Sequence, residues 1–231
     1  MKKGHTKMPK KTVKRTYDSS SRREAAQATR QSILQAALQM FLLNGYAATT
    51  MPTIAQSAGI AMDTVYATVG KKPALFRLLV ETAISGTHTA VPAEERDYVR
   101  AIRAEPDAAR KLEIYAAALT RIQARLAPLF RALQGAATLD PELNALWQEI
   151  SQRRAKNMRL FAQDLAATGR LRRKLSVDKA ADIIWSMNSP EFYLLLVQER
   201  GWQPEDFERW LSDAWIRLLL KQADKKALSN S

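Results

Sequence analysis

Between Thr50 and Lys72 the chain gathers short polar side chains that can hydrogen-bond to a nucleic acid. The hydroxyls of Thr50, Thr64, Tyr66 and Thr68 and the ammonium of Lys72 are donors for phosphate oxygens, contacts that set position without reading sequence. Met62 and Thr64 can meet a thymine methyl or a base edge. Asp63 is repelled by phosphate but can accept from a cytosine amino group, so it suits a specificity or exclusion role.

To act together these residues need a rigid carrier, and the spacing predicts two short helices joined by a tight turn. Thr50 can cap the first, with Pro52 in its opening turn, where the N–H groups lack intrahelical partners. Ile54, Ala55 and Ala58 share one face. Gly59 can take the left-handed conformation that ends a helix, and Ile60 can fold back as the apolar contact of that cap. The second helix, from about Met62, turns Val65 and Val69 inward and leaves Met62, Asp63, Thr64, Tyr66, Ala67 and Thr68 on the other faces. Helix, turn and helix over about residues 50–70 is the arrangement that inserts its second helix in a major groove.

Catalysis finds little support. His5 and His88 lie in a basic arm and in a break, away from any triad or metal-ligand pattern. Glu94-Glu95 and Glu205-Asp206 sit at helix starts, where they favour the dipole. There is no cysteine and no phosphate-cradling glycine loop, so neither a metal site nor a cofactor is indicated. No apolar run is long enough to span a membrane, and the expected compartment is the cytoplasm.

Formal charge is +13 over 231 residues, unevenly spread. Ten Lys and Arg in residues 1–30 against Asp18 and Glu24 leave a local +8 there. A basic arm of this kind suits a polyanion, because each neutralised phosphate releases a counterion. Residues 1–21, poor in apolar groups, read as a disordered arm.

The other apolar stripes repeat at helical spacing. Ile33, Leu34, Ala37, Leu38, Phe41 and Leu42 define a long helix stopped at Asn44-Gly45, and Leu75, Phe76, Leu79, Val80 and Ala83 another after Pro73. Breaks at Gly86 and Pro92 are followed by a short helix over Glu94 to Ala104. A run from Pro106 to about Leu126 is expected to break at Pro128, with a shorter helix carrying Leu129, Phe130 and Leu133. Asp140-Pro141-Glu142 opens a helix to Gly169, Ser176 caps one that bends at Ser189-Pro190 and reaches Gly201, and Gln203-Pro204-Glu205 starts the last. With no strand alternation the fold is all-α.

At its head the sequence resembles the TetR family of transcriptional regulators. The resemblance rests on Asn44-Gly45-Tyr46, Thr49-Thr50, Ile54-Ala55, Ala58-Gly59-Ile60, Thr64-Val65-Tyr66, Lys72 and Leu75-Phe76, and spans Arg30 to Thr89. It implies an N-terminal three-helix DNA-binding head over 22–88, a C-terminal helical ligand-binding and dimerisation domain over 89–223, and a tail from 224. It implies phosphate contacts for Thr50, Tyr66 and Lys72 and base contact from Met62 and Thr64. Ala61 replaces the usual capping Ser, Ala67 and Thr68 the usual aromatic and His, and Val69 the usual Phe.

The resemblance also implies a homodimer built from the last two helices, here Val177 to Arg200 and Pro204 to Gln222, with Phe192, Leu196, Trp210, Trp215 and Leu218 as interface candidates. Two recognition helices about 34 Å apart then call for a palindromic double-stranded DNA operator. For a small-molecule effector the lining candidates are Tyr115, Leu119, Ile122, Trp147, Ile150, Met158, Phe161, Trp185 and Met187. Their scarcity of charge suggests a small apolar or aromatic molecule rather than a magnesium chelate or nucleotide. The competing reading is a helical ligand carrier or scaffold without DNA function.

Overall fold

The computed structural model describes residues 19–87, 89, 91–137 and 141–222. Most of the basic arm, both histidines, the proposed Asp140 cap and the tail lie outside them. Among the described residues the chain is helical, and its only extended pairing is a single antiparallel bridge between Leu171 and Leu220. No described helix is long and apolar enough to cross a membrane.

Helix α1 (Ser19–Ala48) starts earlier than the arm reading implied and is interrupted at Gly45. Ile33, Ala37 and Phe41 on its stripe have no exposed surface. Thr49 closes it: the fully buried hydroxyl lies 3.0 Å from the Met40 carbonyl and 2.8 Å from that of Gly45. Helix α2 (Met51–Ala58) is capped by Thr50, whose side chain accepts from the Thr53 N–H while Thr53 returns the bond to the Thr50 N–H. Thr53 thus takes the part usually played by Glu in a capping box. Gly59 is left-handed at φ 66°, ψ 30°, and the Ile60 N–H bonds the Ala55 carbonyl at 3.1 Å, the paired-bond ending anticipated at this turn.

Helix α3 (Met62–Val69) has no side-chain cap, as Ala61 foreshadowed, and buries Val65 and Val69. Helix α4 (Lys72–Ser85) buries Leu75, Phe76, Leu79, Val80 and Ala83. The rings of Phe41, Tyr46 and Phe76 form a triangle with centroids 5.3 to 5.4 Å apart, two of its edges T-shaped, which locks α1, its C-terminal turn and α4 together.

A 3₁₀ turn (Ala93–Glu95) and α5 (Asp97–Ala104) lead into α6 (Ala108–Ala137) and α7 (Pro141–Ala167). The expected break at Pro128 does not occur: α6 runs through it. Proline costs the bond to the Ala124 carbonyl, but Ala124 is exposed to water, and the residues around Pro128 are fixed by packing on both sides. Leu129 and Leu133 join the core of α1–α4, whereas Leu112, Tyr115 and Leu119 belong to the core of α7 to α10. Helix α8 (Val177–Met187), capped by Ser176, bends before α9 (Pro190–Tyr193), which widens into a π-helical segment (Leu194–Glu199). Helix α10 (Pro204–Leu219) packs on α6 and buries Phe207, Leu211, Trp215 and Leu219.

The residue range 22–88 is therefore not sealed off from the rest, since Leu129, Leu133, Leu143 and Leu146 of α6 and α7 complete its core. Replacing Thr49 by Val keeps the shape but removes the one hydroxyl proton that the Met40 and Gly45 carbonyls share. Urea unfolding should show a loss of about 1–3 kcal/mol.

Candidate functional site

On α3, Asp63, Thr64 and Ala67 are exposed and Tyr66 keeps 45% of its surface in solvent. These side chains share an outward surface because Val65 and Val69 anchor the opposite one. Asp63 also lies in the first turn, where its carboxylate offsets some of the missing cap. Met62 departs from expectation: it is partly buried against the head core, so its reach outward is reduced. Thr68 is half-buried, and its hydroxyl donates to the Thr64 carbonyl at 2.6 Å, which occupies the proton that a phosphate would take.

Thr50 stands exposed at the start of α2, its hydroxyl shared with Thr53. Lys72 is held rather than free: its Nζ lies 4.2 Å over the Tyr46 ring and donates to the Ala47 carbonyl at 3.4 Å. The interaction positions the ammonium next to the end of α1, while the neighbouring Lys71 is exposed.

Behind this head lies a cavity of about 820 Å³, within the size range that suits a small ligand. Tyr115, Leu119, Ile122, Trp147, Ile150, Met158 and Phe161 line it, together with Phe76, Val80, Glu81 and Ile84 of α4. Trp185 and Met187 do not; both are partly buried against the body core instead. The wall is also more charged than the apolar stripes suggested, carrying Arg96, Arg103, Arg153, Arg154 and Lys156 against Glu81, Glu94 and Asp164. Stripe reading misses these residues because they flank the apolar positions and bend inward only after packing.

A polar chain crosses one side of the cavity. Gln123 donates from Nε2 to the Asn188 carbonyl at 2.7 Å, Asn188 Nδ2 donates to the Tyr115 hydroxyl at 2.9 Å, and that hydroxyl donates to Met158 Sδ at 3.3 Å. Burial pushes the Tyr115 phenol well above its ordinary range, so it stays protonated as a donor. Gln123 gave one sequence signal, a polar residue four positions after Leu119 on a buried stripe.

The interface candidates divide. Trp215 is fully buried and stacks on Tyr115 at 5.3 Å, which removes it from any surface a partner could cover. Its ring fills the centre of the body instead. Phe192, Leu196 and Trp210 are half-buried, and Leu218 and the unpredicted Leu195 are 44% and 52% exposed.

Three contacts fasten α4 to the body, none of them evident from spacing. Arg77 and Glu149 form a two-point ion pair, Glu81 pairs with Arg153 and Arg96, and Arg125 Nε donates to the Ala83 carbonyl at 2.8 Å. Partial burial and the nearby Arg121 disfavour the Arg125 charge, yet its guanidinium satisfies the carbonyl end of α4. Gly86 follows with φ 70°, and a Cβ there would come within 2.9 Å of Arg125. Substituting Arg125 by Met should lower stability by about 1–2 kcal/mol and loosen amide protection at the end of α4, as followed by hydrogen exchange.

Residues 33–79 match the family model described as bacterial regulatory proteins, tetR family. Among curated proteins none matches the sequence. Among solved structures the chain is similar to NalD, the secondary repressor of the MexAB-OprM multidrug efflux pump in Pseudomonas aeruginosa. Identity is 20%, the TM-score 0.68, and 87% of this chain and 100% of that one are covered. It is also similar to SmeT in its triclosan complex, at 18% identity and a TM-score of 0.61 over 85% and 93% of the two chains. A third likeness is to a putative tetR family transcription regulator from Shewanella sp. PV-4, at 19% identity and a TM-score of 0.56 over 84% and 99%. With α1 to α4 built as described, residues 33–79 match the tetR family of bacterial regulatory proteins, and the chain as a whole shares the fold of these solved structures.

Proposed function

We propose that the protein is a dimeric repressor that binds a palindromic operator through α3 and releases it when a small molecule with an apolar body enters the cavity. The observation that carries this reading is the double membership of α4. Phe76 and Val80 are buried in the core of the DNA-binding head, and both also line the cavity. A ligand that pushes on this wall moves the helix on which the head is mounted. Release requires that it prefer the spacing that mismatches DNA, since equal affinity for both states shifts nothing.

Two further features support the reading. The solved SmeT–triclosan complex is a relative in fold that holds a small aromatic molecule. On the outside, Phe192, Trp210, Leu195 and Leu218 leave apolar surface on α9, its π-helical extension and α10, which suits pairing with a second copy about a two-fold axis. In the head, Tyr66, Thr50 and Lys72 are assigned to phosphates and Thr64 and Asp63 to base edges, with Met62 and Thr68 in lesser roles.

Selection from a random DNA pool should return a palindrome. Against that site Thr64→Ala should cost about 1–3 kcal/mol and relax specificity. Tyr66→Phe should weaken all sequences alike, and affinity should fall steeply with salt. Recovery of no sequence, or no salt dependence, would favour a ligand carrier without DNA function. The double change Leu195→Asp with Leu218→Asp should shift sedimentation from dimer to monomer and abolish tight operator binding.

A further inference from the structure

Half of the cavity's charges are held in ion pairs. Glu81 is compensated by Arg153 and Arg96, and Asp164 by Lys111 at 2.7 Å. Arg103, Lys156 and Glu94 are unpaired too but stand exposed to water; Arg154 is different, because it is half-buried, forms no ion pair among the described residues, and has its Nε buried without a hydrogen-bond partner. Its guanidinium lies 4.8 Å over the Trp185 ring, which fixes it from behind. Glu191 attracts it electrostatically, but Glu191 is not part of the cavity wall. Burial works against the Arg154 charge more strongly than Glu191 supports it.

Arg154 stands one helical turn from Met158, and so beside the Tyr115 and Asn188 hydrogen bonds. There Gln123, 1% exposed, must point its Nε2 at the Asn188 carbonyl, which can only accept. Its Oε1 is thereby fixed as a buried acceptor with no partner. One flank of the cavity thus offers a cation, while Ile122, Phe130, Trp147 and Ile150 supply apolar surface.

Taking the cavity as the effector site proposed above, we infer that it selects an amphipathic anion: an apolar body bearing a carboxylate or similar group on Arg154. An ammonium head meets the Arg154 charge, and a purely apolar ligand leaves a buried guanidinium unpaired, which is costly.

The test is calorimetric titration of the full chain, without DNA, with naphthylacetate, naphthylethanol and naphthylethylammonium. The carboxylate should bind about tenfold or more tightly than the other two. Arg154→Met, which keeps the stem over Trp185, should remove that preference while sparing the alcohol, Arg154→Lys should retain part of it, and Lys156→Met none of the loss. Equal binding of the three, preference for the ammonium, failure of the carboxylate to bind, or an unchanged preference in Arg154→Met would overturn the inference. Operator release is scored separately. Carboxylate selectivity without release would remove the regulatory reading and keep the anion site, whereas release by all three alike would do the reverse.

Discussion

Phe76 has no exposed surface, and it is shared between the two halves of the molecule. Its ring meets Phe41 and Tyr46 edge-on at 5.4 and 5.3 Å inside the head, and it also reaches the cavity wall. A buried aromatic of this size is worth about 3–5 kcal/mol against truncation to Ala, a sizeable part of a domain's net stability. Because the ring is close-packed, α4 cannot shift relative to the body without disturbing the head. The Tyr46 ring on which Lys72 rests belongs to the same triangle, so the cavity wall and the cation at the end of α1 share one packed unit.

The polar contacts around α4 complement that packing. Arg77–Glu149 is half-exposed and contributes little on its own, whereas Glu81 is largely buried and held by two arginines. Arg125 and Gly86 together close the C-terminal end of the helix. Together these contacts hold α4 against the body at both its middle and its C-terminal end. Loss of Glu81's partners to a competing ligand charge would act on the same helix that Phe76 anchors.

Much of the head was legible along the chain because its signals are local. Thr50, Gly59 and Ile60 shape their turn through bonds spanning three to five residues, and the short helix after Ala61 follows from a two-valine stripe. Met62 shows the limit of the same logic: helical spacing places it outward, but the surrounding core extends far enough to cover part of it. At Pro128 local steric preference gave way to packing on two cores. Trp215 looked like surplus aromatic surface on the last helix and instead fills the body under Tyr115, since a single helix does not reveal how wide its buried face will be.

By itself the sequence determined that the chain is helical, where most helices begin and end, and that Thr50 to Lys72 forms a turn-linked pair with a polar outer face. Those properties depend on caps, breakers and periodicity, which act over one or two turns. Only the tertiary structure decided that α4 serves both cores, that Arg125, Arg77 and Glu81 fasten it, and that Gln123, Arg154 and Asn188 meet at one cavity. Those partners lie tens of residues apart in the chain. Their meeting depends on how long helices cross, and neither residue type nor spacing encodes a crossing until the apolar faces have packed.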